Sequence, residues 1–351
     1  MDNITIGLII IGIVIVTYGI FVIQTAQIPK WNESYRTILE DHERERIFPY
    51  RYFKDETGQM IPLVAVTAFF RDERAMNLFD EYLENGIQMI GITSYKSFPK
   101  AVWDGTADET TANYNFDYVG RIQNWLTCFK NPYEYGFTGN NRLINISESD
   151  FYDAEIKDSP NLKKYDFLYV CFDDSKTECP ADGWNAVNRN FDLAQKCFPV
   201  MIHEFQMRVC VIGRTKCGLK EKYGDKIDVH DFLPYHEFQQ KMRECRYLFI
   251  PNIADASPRT VAEAMIKNIP VLMNRKIMCG SKYITDETGE LFTDETDIAP
   301  AIRKLRDTKK NPRKWWSKNY SVKTSATLFR DFVVECFPGS FDKVKEIHFY
   351  L

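Results

Sequence analysis

The chain reads NIADASPRTVAEAMIKNIPVLMN over residues 252–274, which sets two carboxylates, Asp255 and Glu263, around Ser257, Pro258, Arg259 and Thr260. Serine is a good N-cap and proline a good first helical residue, so this spacing predicts a helix from Pro258. The free amides of its first turn, its positive end and Arg259 together make an anion site suited to a diphosphate. Asp255 would lie just before that helix and Glu263 about a turn and a half inside it. The same residues also have a purely structural account, with Asp255 complementing the helix dipole and Glu263 on a solvated face. A second acidic pair, Asp173 and Asp174, ends the apolar run YDFLYVCFDDS. Paired carboxylates at a strand end can hold a divalent metal on a diphosphate.

These groups need a scaffold, and the apolar patterning supplies one. IPLVAVTAFF from Ile61 reads as a buried strand, residues 74–84 as a helix stopped by Gly86, and IQMIGITSY as a second strand. Strand, helix and strand in so short a stretch form a βαβ unit and a parallel sheet. The pattern weakens over residues 96–158. It then resumes with strand YDFLYVCF, helix NAVNRNFDLAQKCFPVMIHEF and strand RVCVIG. Strand KIDVHDF, helix YHEFQQKMREC, strand RYLFIP, helix PRTVAEAMIK and strand IPVLM follow. Such alternation predicts a doubly wound parallel sheet, and the Asp255 stretch falls at the carboxyl end of RYLFIP, where open α/β sheets bind ligands. A helix over 297–306 and, after Pro312, a long helical tract complete the chain.

From about Tyr165 to Leu305 the sequence resembles retaining GT-B glycosyltransferases of family 4, the glycosyl transferases group 1. The resemblance is carried by the Asp255–Glu263 spacing, which matches that family's E-x7-E region, and by HDFLPYHEFQQKMRECRYLFIP upstream. It implies two Rossmann-like domains facing a cleft and a nucleotide-sugar donor such as a UDP- or GDP-sugar, with no further cofactor and no metal. By the same resemblance Asp255 would touch the donor sugar and Glu263 the ribose hydroxyls. Gly213 and Arg214 would lie near the donor nucleotide, Arg214 balancing diphosphate charge, and the backbone about Leu233 would bracket the base. Asp255 replaces the family's usual first glutamate, and Asp182 stands where members often carry a lysine. Lys176 or Arg189 would then have to supply the missing cation. The first half lacks the family's Gly-Gly turn, having Arg71-Asp72-Glu73 instead, so acceptor-side roles do not transfer.

The chain has 351 residues, 44% hydrophobic and 27% charged, with a formal net charge of -4. That is a folded composition, and it offers no basic stripe for nucleic acid. Residues 4–23 carry no charge and are long enough to cross a bilayer, which predicts a single-pass anchor. The expected layout is an anchor at 4–23, a linker at 24–58, an acceptor domain at 59–160, a donor domain at 161–310 and a helix at 311–351 crossing back. Asp2 before the anchor and Lys30 and Arg36 after it favour a cytosolic catalytic part. Asn145-Ile146-Ser147 and Asn319-Tyr320-Ser321 would be glycosylation acceptors on the luminal side. Nine cysteines show no zinc spacing, and Cys171 and Cys210 sit in apolar runs as reduced hydrophobes. None of the five histidines lies between Ile61 and Asp158, which leaves no histidine base in the first lobe. The expected activity is transfer of a sugar to a glycan, lipid or protein acceptor. Two other readings stay open: a metal-dependent GT-A transferase using Asp173 and Asp174, and an inactive, membrane-tethered binding protein on the GT-B fold.

Overall fold

A computed structural model describes residues 34–93, 98–99, 116–152 and 163–349. The apolar segment at 4–23 lies outside the described residues, and no described helix is long and apolar enough to cross a membrane.

Part of the stretch expected to be linker is built into the fold as helix α1 (Ser34–Glu45) and strand β1 (Tyr50–Asp55). α1 turns Tyr35 and Leu39 inward, and β1 buries Tyr50, Tyr52 and Phe53 while leaving Arg51 exposed. Charges recur so often along this tract that it looks solvated as a run, although each element has an apolar face. β2 (Met60–Val66), α2 (Glu73–Glu84) and β3 (Gln88–Ile92) form the βαβ unit, with β2 and β3 parallel. Asp72 caps α2 by accepting a 2.8 Å hydrogen bond from the Ala75 amide. After the short helix α3 (Tyr118–Arg121), strands β4 (Asn124–Leu126) and β5 (Arg142–Ile144) extend this sheet in parallel.

The second half alternates strongly. β6 (Tyr165–Val170) is followed by α4 (Trp184–Asn188), α5 (Phe191–Pro199), β7 (Val209–Ile212), α6 (Leu219–Tyr223) and β8 (Ile227–His230). Then come α7 (Tyr235–Arg243), β9 (Cys245–Ile250), α8 (Arg259–Ile266), β10 (Val271–Asn274), β11 (Gly289–Phe292) and α9 (Ile298–Asp307). The six strands are all parallel in the order β11-β10-β9-β6-β7-β8. The chain winds outward from β6 through β7 to β8 and returns to place β9 on the other side of β6. That reversal opens a crevice beyond the carboxyl ends of β6 and β9. α4 and α5 were expected as one helix, but Asn190 between them takes a left-handed conformation at φ 51°. Asparagine tolerates this geometry, and its Nδ2 donates a 3.1 Å bond to the Pro251 carbonyl. The break leaves Arg189 at a helix end beside β9.

The chain's last elements tie the halves together. α10 (Pro312–Asn319) packs Trp316 among Val261, Met265 and Tyr283. α11 (Val322–Cys336) buries Phe329 and Val333 against Phe53, Leu63 and Ile90 of the first sheet. β12 (Ile347–Phe349) then pairs antiparallel with β1, completing the order β12-β1-β2-β3-β4-β5.

Candidate functional site

A cavity of about 670 Å³ lies between the halves, in the crevice beyond β6 and β9. Its size falls in the usual range for small-molecule sites, roughly 300–1,000 Å³. Val170 and Phe172 reach it from β6, and Ile250, Asn252 and Asp255 from β9. The start of α8 opens on it through Ser257, Pro258, Arg259 and Thr260, and Glu263 reaches it from one turn further on. Asp255 and Glu263 therefore share one cavity rather than opposite surfaces.

The helix starts one residue later than its sequence suggests, with Pro258 at the N-cap and no side-chain cap. Ser257 is engaged elsewhere. Its hydroxyl meets the Ser149 amide at 3.1 Å and the Ser149 hydroxyl at 2.7 Å, across the junction of the halves. Gly280 fixes Pro258 from below: at φ +87°, a Cβ there would lie 2.5 Å from the proline Cγ. The entry to α8 is thus held by both halves, while Arg259 stays exposed.

Asp255 forms an ion pair with Arg189 and accepts a 3.0 Å bond from Asn252 Nδ2. Glu263 is 4% exposed. Burial pushes its carboxyl up to about 7, against the opposing pull of Lys267, Arg259 and a hydrogen bond from Gln239. Burial likewise pushes the Lys267 ammonium down to about 8. Burial thus brings the titration of Glu263 from the ordinary carboxylate range toward neutrality.

Of the other residues singled out from sequence, Arg189 and Leu233 line the cavity, whereas Gly213, Arg214 and Lys176 do not. Arg214 is only 1% exposed. Its guanidinium pairs with Asp174, donates a 2.6 Å bond to the Phe172 carbonyl, and stands 5.2 Å over the Phe191 ring. A cation so enclosed cannot reach a diphosphate; it braces the loop after β6. Gly213 serves the same packing, since at φ +89° a Cβ would fall 2.0 Å from the Cys171 carbonyl oxygen. Lys176 lines a separate polar depression with Lys216 and Asp231.

The metal reading of Asp173 and Asp174 loses its geometric basis in the same loop. Asp174 accepts bonds from the Asn185 and Ala186 amides at 2.8 and 3.1 Å and so caps α4, besides pairing with Arg214. Asp173 is held by the amide and hydroxyl of Thr215, the latter at 2.8 Å. Nearby, Cys179 and Cys217 form a disulfide that links the loops after β6 and β7, while Cys171 and Cys210 are free and buried.

Several cavity residues escaped the sequence reading. Phe48, Arg51, Thr67 and Glu148 form the first-half wall. At the mouth the exposed rings of Phe172 and Phe232 meet at 5.2 Å, and the Tyr235 hydroxyl touches that of Tyr152. Arg51 had a usable signal, an arginine between two buried tyrosines of a strand. Glu148 had none, because its place depends on how the halves dock.

No family model matches the sequence, and no curated protein matches it. Solved structures do resemble the fold. The pneumococcal O-GlcNAc transferase GtfA, solved with UDP and GlcNAc, is 11% identical with a TM-score of 0.55, over 79% of this chain and 57% of that one. The lipopolysaccharide outer core galactosyltransferase WaaB is 14% identical with a TM-score of 0.52, over 78% of this chain and 75% of that one. TarM is 13% identical with a TM-score of 0.51, over 72% of this chain and 50% of that one. This chain thus spans between half and three quarters of these proteins. What it shares with them is the GT-B arrangement, two parallel-rich α/β sheets facing a cleft.

Proposed function

We propose that the cleft is the donor site of a glycosyltransferase, which moves a sugar from a nucleoside-diphosphate-sugar to a glycan, lipid or protein acceptor. The observation that carries this reading is the meeting of Asp255, Glu263 and the open start of α8 in one cavity of a GT-B fold. In this account the Thr260 amide in the first turn of α8 and the Arg259 side chain hold the pyrophosphate, the Arg259 and Val261 amides being bonded to the Ser257 and Pro258 carbonyls. Glu263 accepts hydrogen bonds from the ribose hydroxyls, and the base lies by Leu233 and the Phe172 and Phe232 rings. Asp255, oriented by Arg189 and Asn252, contacts the sugar. Breaking the anomeric bond leaves charge on the diphosphate, and fixed amides and guanidinium groups stabilise it without reorganising. We further propose retention of donor stereochemistry without a bound metal, the acceptor proton passing to the departing phosphate.

A second reading, a binding protein without turnover, is favoured by Asp182, which stands exposed where a lysine would strengthen diphosphate binding. Both readings are tested by offering the full chain, in detergent, a panel of nucleotide-sugars and following donor hydrolysis and transfer. Release of nucleoside diphosphate supports the enzyme. Binding without release supports the second reading, and neither binding nor release overturns both.

Residues 4–23 are proposed as a single-pass anchor, with the flanking basic residues placing the cleft on the cytosolic face. The Cys179–Cys217 disulfide favours the opposite, oxidising side. Asn145 of the first glycosylation triplet is exposed, so a glycosidase-sensitive mass at Asn145 in cells would place the cleft in the lumen.

A further inference from the structure

The donor reading leaves a charge problem on the second-half wall of the cleft. Its charged side chains are Arg189, Arg259, Asp255 and Glu263. Arg189 is already paired with Asp255, and Glu263 sits one helical turn behind Arg259. A sugar diphosphate brings a negative charge on each phosphate, and Arg259 is the only cation on that wall without an ion-pair partner among the described residues.

The first half presents another, Arg51. Its side chain lines the same cavity, is exposed, and has no ion-pair partner among the described residues. β1 fixes where it stands. Arg51 pairs in register with Ala65, one residue before the carboxyl end of β2, so it lies at the ligand-binding edge of the first sheet. The flanking tyrosines lock the strand: Tyr50 donates a 2.5 Å bond to the Ala75 carbonyl, and the Tyr52 and Tyr82 hydroxyls meet at 3.0 Å. Beside it the Arg71 guanidinium stands 4.4 Å over the ring of Phe48, another wall residue, adding positive potential. Glu148 is the opposing charge on this wall.

We propose that Arg51 reaches across the cleft and binds the sugar-side phosphate of the donor, completing with Arg259 a diphosphate clamp built from both halves. This rests on the donor reading above and extends it. With base and ribose held by the second half, the sugar-side phosphate is the one directed at the opposite wall. It is also the phosphate on which charge accumulates when the sugar leaves, so Arg51 assists departure as well as binding. Guanidinium suits the task, because its planar donors match two phosphate oxygens at once.

The test uses calorimetric titration of the full chain in detergent with UDP, UMP, GDP and GMP, for the wild type, Arg51→Gln and Arg51→Lys. The wild type should bind one diphosphate more tightly than its monophosphate. Arg51→Gln should weaken that diphosphate about tenfold or more, the loss of a charge-assisted contact, and change the monophosphate less than about twofold. Arg51→Lys should recover part of the difference. If the wild type prefers the diphosphate and Arg51→Gln does so equally, Arg51 is not in the clamp and the donor reading stands. A parallel loss for both nucleotides would make Arg51 structural and overturn the inference. If the wild type binds neither these four nor the diphosphates of adenosine, cytidine and thymidine, the donor reading falls together with the clamp.

Discussion

Asp150 of the first half accepts a 2.6 Å hydrogen bond from Lys282 of the second, with its carboxylate fully enclosed. The Tyr283 hydroxyl and the Ser147 amide complete its shell at 2.8 and 2.7 Å. Burial raises the pKa of this carboxyl, and Lys282 opposes the shift. The turn that carries Asp150 also carries Glu148, which lines the cavity, and Ser149, which grips Ser257 at the entry to α8. This buried ion pair is therefore one of the contacts that set how the two walls of the cleft face each other, beside the Ser149–Ser257 contact and the Phe129–Cys279 bridge.

Removing one partner of such a pair leaves the other charged and unsolvated, at a cost of about 3–5 kcal/mol. Lys282→Met should accordingly lower the unfolding midpoint by many degrees in denaturant or heat. The double variant Asp150→Asn with Lys282→Met should recover part of that loss. A single variant as stable as the wild type would remove the pair from the account of docking.

Glu263 gives the cleft a pH response. Its folded pKa, about 7, is raised from an ordinary value of 4.5. The folded state thus binds more protons than the unfolded between these values, and its stability falls as pH rises through that window, by on the order of 3 kcal/mol. Ribose hydroxyls need the ionised carboxylate as acceptor, so donor affinity should instead rise, up to about tenfold between pH 6 and 8. A nucleotide-sugar is the right probe because its diphosphate diester has no proton to lose in this range. Titration at both pH values should show the rise in the wild type and a flat response in Glu263→Gln. An equal rise in both would assign the titration to another group.

Five of the six strands of the second sheet could be read from sequence, because a parallel sheet buried on both faces writes itself as apolar runs separated by helical periods; the short edge strand β11, GELF, could not. The entry to α8 was legible to within one residue, since Pro258 and Arg259 are local signals. Arg214 was not. An arginine after a Gly at a strand end looks the same in sequence whether it meets a ligand or, as here, turns back under its own loop to Asp174. The first-half wall was hidden for another reason. Arg51 lies in a charged tract whose apolar faces, Tyr35 and Leu39 or Tyr50 and Tyr52, show only once helix and strand periods are separated.

The buried Arg214 leads to an expectation opposite to that for a ligand residue. Arg214→Met would strand Asp174 beside a lost partner and should cost about 3–5 kcal/mol of stability. Nucleotide affinity of the protein that remains folded should change little, because the guanidinium does not line the cavity. Calorimetric unfolding together with nucleotide titration separates the two effects. Undiminished stability with lost affinity would return Arg214 to the donor site.

The central claim is that the open start of α8, between Asp255 and Glu263, grips the pyrophosphate of a nucleotide-sugar. Its most direct test is thermal shift of the full chain against a panel of nucleotide-sugars, with Glu263→Ala as control. The account requires that at least one nucleotide-sugar stabilise the wild type, and that Glu263→Ala, folded but unresponsive, lose that stabilisation. Equal stabilisation of wild type and Glu263→Ala, or none of the wild type by any member of the panel, would contradict it.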